Sequence, residues 1–90
     1  MKKAKRFIIK GNVQGVGFRY FTHFIANRIG IYGYVRNLAD GSVEVYSIGS
    51  EEQLKILKEK LSIGPSFSKV DSVFEEDVQI NSNFKSFNIR

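Results

Sequence analysis

Gly15-Val16-Gly17-Phe18-Arg19 is the run in this 90-residue chain whose residue types and spacing invite chemistry. It enters a stretch of helical periodicity, yet no Ser, Thr, Asp or Asn immediately precedes that stretch. A helix start leaves up to four amide N–H groups without intrahelical acceptors. Where no side chain caps them they can receive an external anion, which the helix dipole also favours. Two glycines let successive amides turn inward as a nest. Arg19 adds a fixed positive charge whose planar fork matches phosphate oxygens at two points. The combination describes a site for a phosphate dianion. A plainer reading of the same residues stays open, with Gly15 and Gly17 serving a tight strand-to-helix turn and Arg19 solvated in the first helical turn.

Two other phosphate motifs do not fit. A Walker loop needs lysine directly after its second glycine, whereas Phe18-Arg19 follows Gly17. A dinucleotide fingerprint needs a third glycine where this chain has Tyr20.

Other chemistry-bearing residues are sparse. With no cysteine, neither a disulfide framework nor a thiolate metal site is available. The single histidine, His23, falls off the apolar stripe of the predicted helix and reads as a surface or boundary residue. Asp40 and Glu44 form no ligand cluster with it, and no metal or cofactor is expected. Arg36 is expected to be a solvated or sheet-face residue. Phe18, Tyr20, Phe21 and Phe24 read as core packing, with Tyr20 also able to line the mouth of a site. Net charge is +5, but residues 1–50 carry eight Lys/Arg against two Asp/Glu and residues 51–90 six against seven. An anionic partner is thus drawn to the first half.

The elements that must hold the loop follow from periodicity. Lys5 to Asn12 reads as a strand, with the basic residues at 2–6 expected to fray in solvent. Arg19 to Ile29 reads as a helix with Phe18, Phe21, Ile25 and Ile29 as its apolar stripe, ended by Gly30. Tyr32 to Leu38 and Ser42 to Ile48 flank Asp40-Gly41, a hairpin signal. Ser50-Glu51-Glu52-Gln53 is a capping-box sequence opening a helix with Leu54, Leu57 and Leu61 on one face, stopped at Gly64-Pro65. Strands at about Phe67 to Val78 and Phe84 to Ile89 close the chain. Val70 and Val73 would face opposite ways in a regular strand, which leaves room for a bulge.

The predicted order is β1-α1-β2-β3-α2-β4-β5. This is an α+β, ferredoxin-like two-layer sandwich, with two helices on one face of an antiparallel sheet. Ninety residues suit one domain, 1–90, able to bury roughly two-thirds of its unfolded surface. No apolar run approaches the roughly 20 residues of a membrane span. Phe7-Ile8-Ile9 is too short for a secretory signal, which needs about 7–15 apolar residues. A cytoplasmic location is the expectation.

Two segments carry a resemblance to a known family. Gly11-Asn12-Val13-Gln14-Gly15-Val16-Gly17-Phe18-Arg19 closely resembles the first acylphosphatase signature, and Gly33-Tyr34-Val35-Arg36-Asn37-Leu38-Ala39-Asp40-Gly41-Ser42-Val43-Glu44 resembles the second. The likeness covers essentially the whole chain. Tyr34 departs from it where many members have tryptophan, an aromatic exchange expected to adjust packing only.

The resemblance implies hydrolysis of an acyl phosphate to a carboxylate and inorganic phosphate. It implies that the backbone of Gln14, Gly15, Val16, Gly17, Phe18 and Arg19 cradles the phosphate, that Arg19 grips it, and that Asn37 holds the attacking water. The water's proton would pass to the substrate's own phosphate, without an enzyme base, a metal or a covalent intermediate. The implied partner is a small acyl phosphate substrate, with inorganic phosphate as product; a monomer is expected, without nucleic acid or membrane. Two alternatives remain: a ferredoxin-like RNA-binding module using sheet aromatics, and a non-catalytic regulatory domain.

Overall fold

Alternation of apolar and polar residues makes five strands, and two stretches with a period near 3.6 make two helices. The computed structural model describes all of residues 1–90. Its elements are β1 (Lys2–Asn12), α1 (Phe18–Ile29), β2 (Tyr32–Asn37), β3 (Val43–Ser50), α2 (Glu51–Ile63), β4 (Lys69–Val78) and β5 (Phe87–Ile89). The strands form one sheet in the order β4-β1-β3-β2-β5.

The sheet departs from the sequence expectation in one respect. It is mixed, because β5 runs parallel to β2 while every other pair is antiparallel. The reason is topological. β4 ends with Val78 opposite Ala4, at the end of the sheet where β2 begins. Residues 79–86 cross to the far edge there, so the chain can only re-enter alongside β2 in the same direction.

The core lies between the helices and one sheet face. Phe7, Ile9, Val35, Val43, Val45 and Phe87 project from the strands and meet Phe18, Ala26, Leu54, Leu57 and Leu61 from the helices. The leucine stripe of α2 is as its spacing predicts, each side chain adding about 1.5–3 kcal/mol by burial. Ser50 caps that helix as expected: its hydroxyl accepts from the Gln53 amide at 3.1 Å, and Gln53 Oε1 accepts from the Ser50 amide at 2.8 Å. Gln53 Nε2 also donates to the Ile29 carbonyl at 3.0 Å, tying the start of α2 to the end of α1.

The buried face of α1 is rotated from the predicted stripe. Phe18, Thr22 and Ala26 are its fully buried residues, while Phe21, Ile25 and Ile29 flank a groove between the helices. Small side chains at 22 and 26 let the helix lie close to the sheet. The Thr22 hydroxyl is satisfied by the Phe18 carbonyl at 2.9 Å, which hides its polarity from a sequence reading. Tyr20 and Phe24, expected in the core, are exposed.

The basic residues at 2–6 also differ from expectation. Instead of fraying, Lys2–Arg6 pair with β3, because the chain has partners ready for them. Lys5 Nζ meets Glu75 at 2.8 Å and Asp77 at 2.9 Å, and Arg6 bonds Glu44 at 2.5 Å and Glu76 at 2.9 Å. A bulge, for which the Val70 and Val73 spacing leaves room, is present in β4, where Gly11 pairs with Val70 but Lys10 pairs with Ser72, leaving Asp71 unmatched.

On the sheet face away from the helices, Glu44 is buried between Arg6 and Arg36, each guanidinium 2.5 Å from a carboxylate oxygen. Burial alone would raise its pKa, but the two guanidiniums more than offset that and hold it below the ordinary range. This stabilisation is complete above the unfolded carboxylate pKa and is lost as pH falls through the lower folded value. Tyr34 stacks on Tyr46 at 5.6 Å, Phe84 packs on both, and the Arg90 guanidinium lies 4.4 Å above the Tyr34 ring.

Candidate active site

Between β1 and α1, the chain turns through two left-handed residues. Gly15 has φ 74° and Gly17 has φ 83°, with no positive φ between them. A Cβ at either glycine would meet no protein atom within 4 Å, so glycine is needed for the sign of φ and not for room. This alternation is the geometry of a backbone nest. Val13 and Phe18 are buried in the core and Val16 packs against it. Apolar anchors therefore hold the loop from inside while its glycines face out.

Gly17 caps α1 without a side-chain bond, as the sequence predicted, and the first turn carries no acidic residue. The first amide of this region to reach a backbone carbonyl is that of Phe21, which donates to the Gly17 carbonyl at 3.0 Å. No backbone carbonyl accepts from the amides of residues 14–20. They leave a concentration of partial positive charge at the head of the helix.

Arg19 stands apart among the five arginines. Arg6 and Arg36 are committed to Glu44, Arg28 lies over the Phe24 ring and Arg90 over Tyr34. Arg19 has neither a carboxylate partner nor an aromatic ring. Its charge is uncommitted.

Asn37, at the end of β2, opens into the same cleft of about 240 Å³ as Gly15, Gly17 and Arg19. Its Oδ1 is the one buried side-chain nitrogen or oxygen in the protein without a hydrogen-bond partner. A buried acceptor left unpaired costs about 1–3 kcal/mol, and this one belongs to a residue that lines the cleft. Arg36, the preceding residue, faces the opposite side, as alternation requires.

Gln14 is a residue whose side-chain role the sequence reading missed. Its Nε2 donates to the Leu38 carbonyl at 2.7 Å and to the Ser42 carbonyl at 2.9 Å. Both carbonyls flank the β2–β3 turn, which the Asp40 carboxylate closes by accepting from the Ser42 amide and hydroxyl. The loop of Arg19 and the hairpin of Asn37 are therefore fastened together. No local sequence signal marks this, because the partners lie 24 and 28 residues away. Ile89 also lines the cleft and was not foreseen, since it arrives there only through the parallel pairing of β5. His23 keeps to a boundary position, with its Nε2 3.2 Å from the Asn27 amide nitrogen and its ring against Phe87.

An arrangement of free amides, one uncommitted guanidinium and one unpaired carbonyl oxygen can hold an anion while orienting a hydrogen-bond donor beside it. No group of three or more His, Cys, Asp or Glu side chains converges to hold a metal ion.

Comparison with known proteins bears on this arrangement. Residues 5–89 match the family model described as Acylphosphatase. An acylphosphatase of Pasteurella multocida is 49% identical over 86 residues, covering 96% of each chain. One of Pseudothermotoga lettingae is 51% identical over 81 residues, covering 90% of each. The crystal structure of acylphosphatase from Bacillus subtilis superposes with a TM-score of 0.93 at 36% identity, over 100% of this chain and 99% of that one.

Proposed function

The chain belongs to the acylphosphatase family and hydrolyses acyl phosphates, and on that premise we propose that the cleft between the Gln14–Arg19 loop and Asn37 is its catalytic centre. The observation that carries this reading is that Arg19, the loop with its free amides and Asn37, whose Oδ1 has no partner, all line one cleft. The amides of residues 14–19 and the Arg19 guanidinium receive the phosphoryl oxygens. Asn37 Oδ1 accepts a hydrogen bond from water, which aims the water's lone pair at phosphorus.

The water oxygen bonds to phosphorus as the bond from phosphorus to the acyl oxygen breaks, and the carboxylate departs with that electron pair. Its conjugate acid has a pKa of about 4, so departure needs no general acid. The water's proton passes to a phosphoryl oxygen, so no base is needed either. Positioning and charge neutralisation carry the rate, as in phosphoryl transfer generally. The reaction requires no metal and forms no covalent enzyme intermediate. The functional unit is a single domain, acting as a monomer in the cytoplasm.

Purified protein should hydrolyse benzoyl phosphate at the same rate with and without a chelator. Activity that disappears with the chelator and returns with a divalent cation would refute the metal-free reading.

The Gln14 clamp carries a second expectation. Gln14→Met keeps the bulk and removes both donors. It should lower stability by about 1–3 kcal/mol, and kcat by about tenfold or more through misalignment of Asn37. Inhibition by inorganic phosphate should change less than kcat, because the nest itself is anchored by Val13, Val16 and Phe18. Equal losses in both would show that the clamp shapes the nest instead.

The RNA-binding alternative is not favoured. The chain matches the acylphosphatase family over residues 5–89, and Tyr34, Tyr46 and Phe84 pack on one another with Arg90 over Tyr34 and Phe84.

A further inference from the structure

We infer that Tyr20 and Ile89 form the subsite for the acyl group, and that they select uncharged, apolar acyl chains over chains bearing a second anionic group. The inference rests on the catalytic reading above and adds the substrate class. Once Gly15, Gly17, Arg19 and Asn37 are assigned to phosphate and water, what remains of the cleft lining is apolar. Val13 and Phe18 are buried in the core, so they present little surface to a ligand. Tyr20 and Ile89 are 74% and 40% exposed and supply the open wall.

Both residues line the cleft, and a chain of rings runs from one toward the other. The Tyr20 ring lies 6.4 Å from the His23 ring, which lies 6.5 Å from Phe87 on the strand that carries Ile89. Exposed aromatic and aliphatic surface beside a charged nest is suited to a substrate with an anionic head and an apolar tail. The lining contains no carboxylate, and its one cation is Arg19. With that guanidinium held by the phosphoryl group, a second anion on the acyl chain finds no counter-charge there and gives up part of its own hydration against apolar surface without compensation.

Acetyl and butyryl phosphate test this directly, because their leaving carboxylates are of similar basicity and differ by two methylenes. Half-covering two methylenes corresponds to about a fourfold gain in kcat/KM. Wild-type protein should therefore favour butyryl over acetyl phosphate by about threefold to tenfold. Tyr20→Ala and Ile89→Ala should bring that ratio close to one, whatever each does to absolute rates. Phe74→Ala, which removes an exposed ring from β4, should leave the ratio at the wild-type value. Succinoyl phosphate, as long as the butyryl compound but anionic at its end, should be the poorer substrate of the two.

A wild-type ratio of one, an unchanged ratio in both cleft variants, or faster turnover of succinoyl than butyryl phosphate would overturn the assignment while leaving hydrolysis itself intact. Failure of the catalytic reading looks different: Arg19→Ala would then match wild type on all three substrates.

Discussion

Arg19→Ala loses about 10³-fold or more of kcat/KM on benzoyl phosphate, the scale of arginines that neutralise charge on a transferring phosphoryl group. The side chain is exposed and pairs with nothing in the protein, so its removal leaves packing and ion pairs untouched. The melting curve should stay within about 0.5 kcal/mol of wild type, the usual range for surface changes. Inhibition by inorganic phosphate should weaken as well, because the ground-state dianion uses the same guanidinium. Arg19→Lys keeps the charge but not the two-point fork, and should recover only part of the loss. Steady-state kinetics with phosphate as competitor read all of these together. A normal kcat/KM in Arg19→Ala would remove this residue from the mechanism.

Asn37→Ala separates water positioning from anion binding. Its kcat should fall by about 10²- to 10³-fold, comparable to losing one aligned polar group from a reacting centre. The inhibition constant of inorganic phosphate should move by less than about threefold, since nest and guanidinium are intact. Stability supplies a second readout. Asn37 Oδ1 is buried without a partner, so deleting it removes a desolvation penalty and the melting temperature should hold or rise. An ordinary structural asparagine would behave oppositely, with stability lost and kcat spared.

These expectations show which parts of the molecule could be read from residue order and which could not. Local signals were dependable. The uncapped entry to α1, the serine box of α2, the Asp40-Gly41 hairpin and the leucine stripe each depend on neighbours within a few positions, and each is present as expected. Features decided by distant segments were not legible. The basic start reads as a fraying tail until β3 and the carboxylates of β4 are placed beside it. Thr22 and Ala26 do not look like the centre of a buried face, because closeness to the sheet, not side-chain size, selects them. The direction of β5 follows from where β4 ends, a fact of topology that no short window contains.

The site divides in the same way. Gly15, Gly17 and Arg19 suggest an anion site through local chemistry, which by itself also fits a plain strand-to-helix turn. Asn37 has no such local signal; only family resemblance points to it, and the structure shows that its Oδ1 is buried without a partner. Gln14 was included for its backbone, while its side chain turns out to bind the far hairpin. Ile89 enters the cleft only because a short terminal strand pairs with β2.

The central claim is that free amides at the head of α1, together with one guanidinium, hold the phosphoryl dianion beside Asn37. A crystal structure with inorganic phosphate bound tests it most directly. Phosphate oxygens within about 3 Å of the amides of residues 15–19 and of the Arg19 guanidinium, with a water on Asn37 Oδ1, is the predicted result. Phosphate bound elsewhere, with those amides facing only solvent and Asn37 turned from the cleft, would contradict it.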